Sequence, residues 1–314
     1  MKNKNALFHG LLTLLFLSLL LIVTVYVPAV SLLTIWLIPV PLMYLTAKFS
    51  WPYGLAGFIA AAAVLLIILP GPGAVIPNFF MIIGCVMGEI IHRKKPAFAV
   101  LLGGSLASIA VLILYLAFSV LVMKFNPITA FKDIASQSIE LSLNQFGSLL
   151  NQDKGKLLEF YRNQLDYLGY LAPSLLVMIG VFYSLIVELI ALPLLRLLKV
   201  DVPGWIPFRT WQVPRSLIWL YLFVLVIQLF VPAESGTSFY TALINIEFVF
   251  QILLAIQGLS FIFYFMYVKK VPIAVPILIT VVVLIFSFPL LQLVWILGII
   301  DLGFNLRKRI RGKQ

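Results

Sequence analysis

Along most of this chain apolar residues run on without the polar interruptions that mark the wet face of a helix or strand. About 20 apolar residues in a helix cross the hydrocarbon core of a bilayer. Runs of that size occupy about 7–27, 30–47, 54–69, 74–91, 97–123, 171–198, 215–232 and 240–268, and a longer one follows at 273–306. Stretches that are apolar all round predict transmembrane helices, because a core helix of a soluble domain keeps one polar face. As a single helix, the last run would reach about 50 Å at 1.5 Å per residue, well past a core of roughly 30 Å. A hairpin at Ser287-Phe288-Pro289, with the proline ending one helix, divides it into two short spans. The expectation is an all-α, polytopic transmembrane helical bundle of about ten spans, or nine if 273–306 is one span.

The connections carry the orientation signal. Val27-Pro28-Ala29, Pro70-Gly71-Pro72-Gly73 and Val231-Pro232-Ala233-Glu234 hold no Lys or Arg, whereas the alternate turns hold Lys48, Arg93-Lys94-Lys95, Arg196, Lys199, Arg209, Arg215 and Lys269-Lys270. Basic turns face the cytoplasm, so both termini are expected there. The first run follows Lys2 and Lys4 like a signal peptide but exceeds the usual apolar length, and it reads as a retained anchor. One cytoplasmic probe checks the threading. A cysteine added beyond Arg311 is expected to stay unmodified by an impermeant thiol reagent on intact cells and to react once the membrane is opened; reaction on intact cells would invert the topology.

Composition agrees with the pattern: 63% of the 314 residues are hydrophobic and 11% charged, which excludes a soluble globular domain. The net charge of +11 is absorbed by orientation. All but five of the 22 Lys and Arg fall on the cytoplasmic side, and those five (Lys124, Lys132, Lys154, Lys156, Arg162) lie beside five acids in the hydrophilic segment. No nucleic-acid partner is therefore expected. Cys85 is the single cysteine, and no Cys/His cluster has metal-site spacing, so no disulfide, metal or cofactor is expected.

The segment at about 124–170 predicts two amphipathic helices, one bearing Phe131, Ile134, Leu141, Phe146 and Leu149, the other Leu157, Leu158, Tyr161, Leu165 and Leu168, separated by Asn151-Gln152-Asp153-Lys154-Gly155. They would lie on the outer membrane surface or cap the bundle, as a surface hairpin in preference to a substrate lid. The whole of 1–314 reads as one integral membrane domain with this insertion and a basic cytoplasmic tail at about 307–314.

Ionisable groups inside a span cost at least about 2.5–3.5 kcal/mol, so each needs a partner or a cavity. Glu188 shares a stripe with Gly180, Ser184 and Ala191 and faces other helices; Pro193 frees a backbone carbonyl just beyond it. Glu247, Gln251, Leu254 and Gly258 form another face, with Asn245 opposite and Gln257 on the flank. Glu188, Ser184, Glu247 and Gln251 are thus the candidate substrate-binding residues, against the plainer reading in which they only bond to neighbouring helices. Gly84 with Gly88, and Gly103, Gly104, Ala107 and Ser108, are close-packing signals. Glu89, His92 and Arg93 suit an interfacial ion pair. Pro39-Val40-Pro41 predicts a break or kink in the second span, of the kind that lines binding sites or merely bends a helix.

Neither G-x-x-x-x-G-K-[ST], H-E-x-x-H nor G-x-S-x-G occurs, so no catalytic residue is assigned and enzyme activity is the minority expectation.

Phe208-Arg209-Thr210-Trp211-Gln212-Val213-Pro214 and Leu297-Gly298-Ile299-Ile300-Asp301-Leu302-Gly303-Phe304-Asn305-Leu306-Arg307-Lys308-Arg309 resemble segments of the YybS-like family of bacterial multi-pass membrane proteins. The likeness extends over most of the chain. That family is distantly similar to the membrane-embedded substrate-binding subunits of energy-coupling-factor transporters, which capture vitamins or metals and depend on separate ATPases. The resemblance implies a helical fold, a small-molecule solute and an ATPase or coupling subunit as partners, and no catalytic residues; the extra hairpins and outer insertion depart from those smaller subunits. Arg209, Trp211, Asp301, Arg307, Lys308 and Arg309 are candidates for contact with a partner or the membrane interface, with Asp301 placed to pair with the basic tail. The leading expectation is a plasma-membrane solute-binding or transport component. A membrane scaffold or regulator without transport activity is the alternative, and an intramembrane enzyme using Glu188 or Glu247 comes third.

Overall fold

A computed structural model describes residues 2–69, 74–146, 154–231 and 233–311. The turn at Pro70–Gly73, Leu149 and residues 151–153 of the insertion, Pro232 and Lys313 of the tail lie outside the described residues. Helices and short turns make up all regular structure among those described. In chain order they are α1 (Lys2–Tyr26), α2 (Pro28–Thr34), α3 (Pro39–Phe49), α4 (Trp51–Ile68), α5 (Val75–His92), α6 (Ala97–Leu121) and α7 (Pro127–Phe146). There follow α8 (Lys154–Tyr170), α9 (Ala172–Leu197), α10 (Ser216–Phe230), α11 (Ser238–Val268), α12 (Ala274–Ile285), α13 (Ser287–Phe304) and α14 (Leu306–Arg311).

Six segments are long and apolar enough to cross a membrane: Asn5–Tyr26, Ala29–Phe49, Trp51–Ile68, Ala97–Leu121, Ala172–Leu197 and Ser238–Val268. Pro77–His92, Ser216–Phe230, Ala274–Ile285 and Leu290–Phe304 are shorter apolar helices. Their outward surface is what a polytopic bundle requires. On α1, for example, Leu7, Leu11, Leu15 and Leu19 are exposed at a spacing of four while Thr13, Leu17, Leu20 and Leu21 are buried. In water such a surface would aggregate; in lipid it is ordinary solvent contact.

The chain divides into two compact units, residues 1–145 with 175–205, and residues 146–174 with 206–314. Sequence reading treats the chain as one domain; the division passes through the hydrophilic insertion, leaving most of α7 with the first unit and α8 with the second.

In the first unit, α3 and α5 form the most intimate pair. Gly84 lies against the backbone of Pro39, where a Cβ would overlap the Pro39 carbonyl oxygen, and a Cβ on Gly88 would come 2.6 Å from the Met43 carbonyl oxygen. The two glycines, one helical turn apart, let α5 rest directly on the α3 backbone. Leu42, Met43, Met81, Met87, Val187 and Leu195 are among the side chains sealed around this contact. The second span is broken, as the two prolines predict: α2 ends at Thr34 and α3 starts at Pro39.

In the second unit, α11 and α13 cross through a reciprocal glycine contact. A Cβ on Gly258 would overlap the Val294 carbonyl oxygen, and one on Gly298 would overlap that of Leu254. The pairings Leu254 with Gly298, Gln257 with Asp301 and Tyr264 with Arg307 advance together along both helices, so α11 and α13 run parallel. The chain between them must therefore turn back. It does so at Phe286, after which Ser287 opens α13. The hairpin expected from sequence is present, with one correction: Pro289 sits in the first turn of α13 and starts a helix, where its missing N–H has no partner to lose, instead of ending one.

Packing this tight leaves no room for side chains. Gly258→Val and Gly298→Val are each expected to lower stability by about 1–3 kcal/mol, read as a lower melting temperature in detergent, whereas Gly204→Val, facing open space, is expected to melt like the parent protein.

Candidate functional site

The break in the second span decides what lies around it. Pro39 has no N–H for the Ile35 carbonyl, one helical turn earlier, and a bare carbonyl inside a bilayer costs several kcal/mol. The hydroxyl of Tyr183, on α9, donates to that carbonyl at 3.2 Å. The other carbonyl freed nearby, that of Leu37, accepts from the Val40 amide at 3.0 Å. Tyr183 is further held by Trp36, stacked at 5.2 Å between centroids, and by Phe80 at 4.9 Å.

Tyr183 also forms one wall of a cavity of about 280 Å³ between α5, α6 and α9. Phe79, Phe80 and Ile83 of α5, Val111, Leu112 and Tyr115 of α6, and Ile179 of α9 complete the lining, with Ser108 as its one aliphatic hydroxyl. Ser108 and Ser184 share a buried hydrogen bond of 2.8 Å across the α6–α9 seam. A turn away along that seam, Gly180 fits against Ile109. The site is an apolar, aromatic chamber with almost no polar surface, suited to a flat hydrophobic body. Among the described residues no group of three or more His, Cys, Asp and Glu side chains gathers to hold a metal.

Of the residues named from sequence, Ser184 and Glu188 belong to this unit. Glu188 is fully buried one turn from Ser184, and neither of its carboxyl oxygens has a hydrogen-bond partner among the described residues. Glu247 and Gln251 belong to the second unit, where Glu247 accepts from Gln251 at 2.8 Å and from Gln228, on α10, at 2.7 Å. Both carboxylate oxygens are thereby engaged, one within α11 and the other tying α11 to α10. Asn245 serves another joint: its amide donates to the Tyr170 carbonyl at 2.7 Å, and its oxygen accepts from the Ser174 amide at 2.8 Å.

The two segments that carried the family resemblance meet in the second unit. Arg307 donates through Nε to Asp301 at 2.9 Å, through Nη1 to the Arg209 carbonyl at 2.8 Å and through Nη2 to Ser260 at 3.1 Å. The Ser260 hydroxyl reaches the carbonyls of Phe208 and Trp211, each at 2.8 Å. Gln257 donates to Asp301 at 2.5 Å and accepts from the Val213 amide at 3.0 Å. Asp301, Arg307, Gln257 and Ser260 are all buried. The connection 208–213 is therefore clamped onto α11 by an ion pair whose other arginine donors go to a backbone carbonyl and to the Ser260 hydroxyl. Asn305, at φ 51°, takes the left-handed conformation that ends α13 and turns Arg307 inward.

Asp301 thus pairs with the tail as expected from sequence, through Arg307. Those two are sealed inside the clamp, and Lys308 and Arg309 are the charges left exposed. Arg209 and Trp211 are half-buried; the Arg209 guanidinium lies 3.9 Å from the centroid of the Tyr267 ring. At other edges, Glu89 pairs with Arg93 at 2.7 Å, and His92 meets the Ala47 carbonyl at 3.0 Å.

A model of the family described as predicted membrane protein (DUF2232) matches residues 15–302, nearly the whole of this architecture. The chain belongs to that family. It is 30% identical to the uncharacterized protein YybS of Bacillus subtilis (strain 168) over 317 residues, covering 99% of this chain and all of that protein. No solved structure matches. The family membership makes this a multi-pass membrane protein, in keeping with its apolar helices.

Sequence reading passes over Tyr183 and Gln228, and sets Gln257 on the flank of its helix without a role. For Tyr183 a signal existed: Pro39 demands a donor for Ile35, and a mid-span tyrosine is one of few side chains able to supply it. Gln257 looks like a flank residue on a helical wheel, and only the return of α13 beside α11 gives it a partner. Truncating the clamp tests its weight. Asp301→Ala, which strands the buried Arg307 charge, is expected to cost roughly 3–5 kcal/mol in chemical denaturation, and replacing Asp301 and Arg307 together by Leu and Met is expected to recover much of it.

Proposed function

We propose that the first unit is the solute-binding part of a membrane transport system, taking a small, mostly apolar and ring-containing molecule between α5, α6 and α9 and depending on a separate ATPase or coupling subunit for energy. The observation that carries this reading is the aromatic chamber of about 280 Å³ beside a proline-broken span. Backbone irregularity inside a membrane is tolerated where it is buried in protein or lines a cavity, and transporters put their substrates there. Tyr183 serves both features, as the donor to Ile35 and as a wall of the chamber. The lining selects the solute: ring faces and aliphatic side chains favour a flat hydrophobic body. The first unit contains α1 to α6 and most of α7 and α9. Of the sequence candidates, Ser184 supports the chamber by holding Ser108, while Glu247 and Gln251 are occupied with each other and with Gln228.

A scaffold or regulatory role has one observation in its favour, the exposed Lys308 and Arg309 following a clamp rigid enough to present them.

Native mass spectrometry of gently solubilised protein separates the two. A transport component is expected to retain a small molecule or an ATPase subunit. Ser108→Phe, which enters the chamber at the cost of the Ser108–Ser184 hydrogen bond, is expected to lower the melting temperature and to abolish retention of the small molecule by the protein that remains folded. The same bound mass on a folded Ser108→Phe variant would remove the chamber as the site. Loss of function on neutralising Lys308 and Arg309, with no effect of Ser108→Phe, would favour the scaffold.

A further inference from the structure

Glu188 stands apart from every other carboxylate described above. It is fully buried in the middle of an apolar helix, and both oxygens lack a hydrogen-bond partner among the described residues. Ser105 of α6 is in the same condition: its side chain is buried and its hydroxyl has no partner among the described residues. The Ser108–Ser184 hydrogen bond fixes the register between α6 and α9. Ile109 against Gly180 lies on one side of that pair, so residue numbers fall along α6 as they rise along α9 and the helices run antiparallel. One turn to the other side, the same seam reaches Ser105 on α6 and Glu188 on α9. The two unpartnered groups thus both follow the serine pair along one helix interface, with no hydrogen bond between them.

A charged Glu188 there would need a cation, and none of the elements packed around α9 provides one. On α3, Lys48 and Tyr44 bond to each other and to His9. On α5, Glu89 pairs with Arg93, His92 meets the Ala47 carbonyl, and the Cys85 thiol is turned to the Gly54 carbonyl. The titratable side chain of α6 is Tyr115, at the chamber. On α9 itself Tyr183 is committed to Ile35, and Arg196 is exposed two turns beyond Glu188. Past the end of α9, Asp201 pairs with Lys94 at 3.4 Å in an exposed bridge. An uncompensated carboxylate in a bilayer costs several kcal/mol, and a proton is the smallest ligand that removes the charge.

We infer that Glu188, together with Ser105, forms a buried proton-binding site within the first unit. The bound proton makes the carboxyl a hydrogen-bond donor, and the Ser105 hydroxyl supplies an acceptor one turn from the serine pair that borders the chamber. Exchange of that proton requires the α6–α9 seam to part, because Glu188 has no exposed surface. The site stands without the solute-binding reading, since its test detects the proton and no solute.

Infrared difference spectroscopy of the full-length protein in lipid at neutral pH reads it directly. Comparison with Glu188→Gln is expected to show loss of a protonated-carboxyl stretching band, and Ser105→Ala is expected to shift that band by removing its acceptor. Loss of an ionised-carboxylate band in its place would overturn the inference. So would conversion of the protonated band to the ionised form on adding sodium chloride but not choline chloride, which would assign the site to an alkali cation. Ser105→Ala, a small change on a helix, keeps the test decisive if Glu188→Gln fails to fold: an unshifted protonated band, or none, counts against the site.

Discussion

Inside a bilayer no water is present to satisfy a backbone group, and that constraint governs this structure more than any single contact. Where a helix is continuous it satisfies itself. Where the sequence inserts Pro39 and Pro41, the broken span must borrow a donor from elsewhere, and the Tyr183 hydroxyl answers the carbonyl of Ile35. The borrowed hydrogen bond has consequences beyond its own energy. It fixes a large aromatic side chain of α9 against Trp36 and Phe80, and a ring held in that way cannot collapse into the neighbouring space between α5 and α6. The chamber is bordered by a side chain whose position the broken backbone dictates.

A second constraint is that lipid gives apolar helices no reason to prefer each other over acyl chains, so close association must come from packing and polar contact. Both units use small residues to bring backbones together: Gly84 and Gly88 under α3, and Gly258 against Gly298 between α11 and α13. Polar contact is used differently in each. In the second unit, Asp301 and Arg307 cancel each other's charge and the remaining donors of Arg307 go to Ser260 and a backbone carbonyl. Such an arrangement costs desolvation and returns a unique geometry for the connection 208–213. In the first unit Thr46, Ser108 and Ser184 are bonded, but some buried polar atoms keep unused bonding capacity. A group fully satisfied by its neighbours is structural; among the described residues Glu188 is the carboxyl with neither oxygen bonded, and Ser105 a buried hydroxyl with no partner, whereas Asn78 and Glu89 each leave a single oxygen unmatched.

The helices themselves were legible in the sequence because length and hydropathy suffice to specify a span, and the parallel course of α11 and α13 requires the return that the overlong run at 273–306 predicts. Small-residue pairs were legible too, since Gly84 and Gly88 announce close approach whatever the partner. The helix faces were harder to read. On α1 a buried Leu17 and an exposed Leu15 differ in surroundings and not in chemistry, so periodicity carries no contrast from which to infer the inward side. Contacts between distant segments were the least legible. Gln257 receives its role from Val213 and Asp301, 44 residues away in each direction, and Glu247 its second partner from Gln228 on the preceding helix.

The two carboxylates that sequence reading ranked alike make the point about function. Glu247 and Glu188 both lie in apolar helices, and both looked like candidates for binding polar solute. Glu247 has an amide on each oxygen, so recruiting it for a ligand would mean breaking the joint between α10 and α11. Glu188 has nothing to break. A residue can serve a changing occupant only if its bonding capacity is not already spent on the fold, and that criterion, applied to buried groups one at a time, separates the machinery of a membrane protein from its mortar.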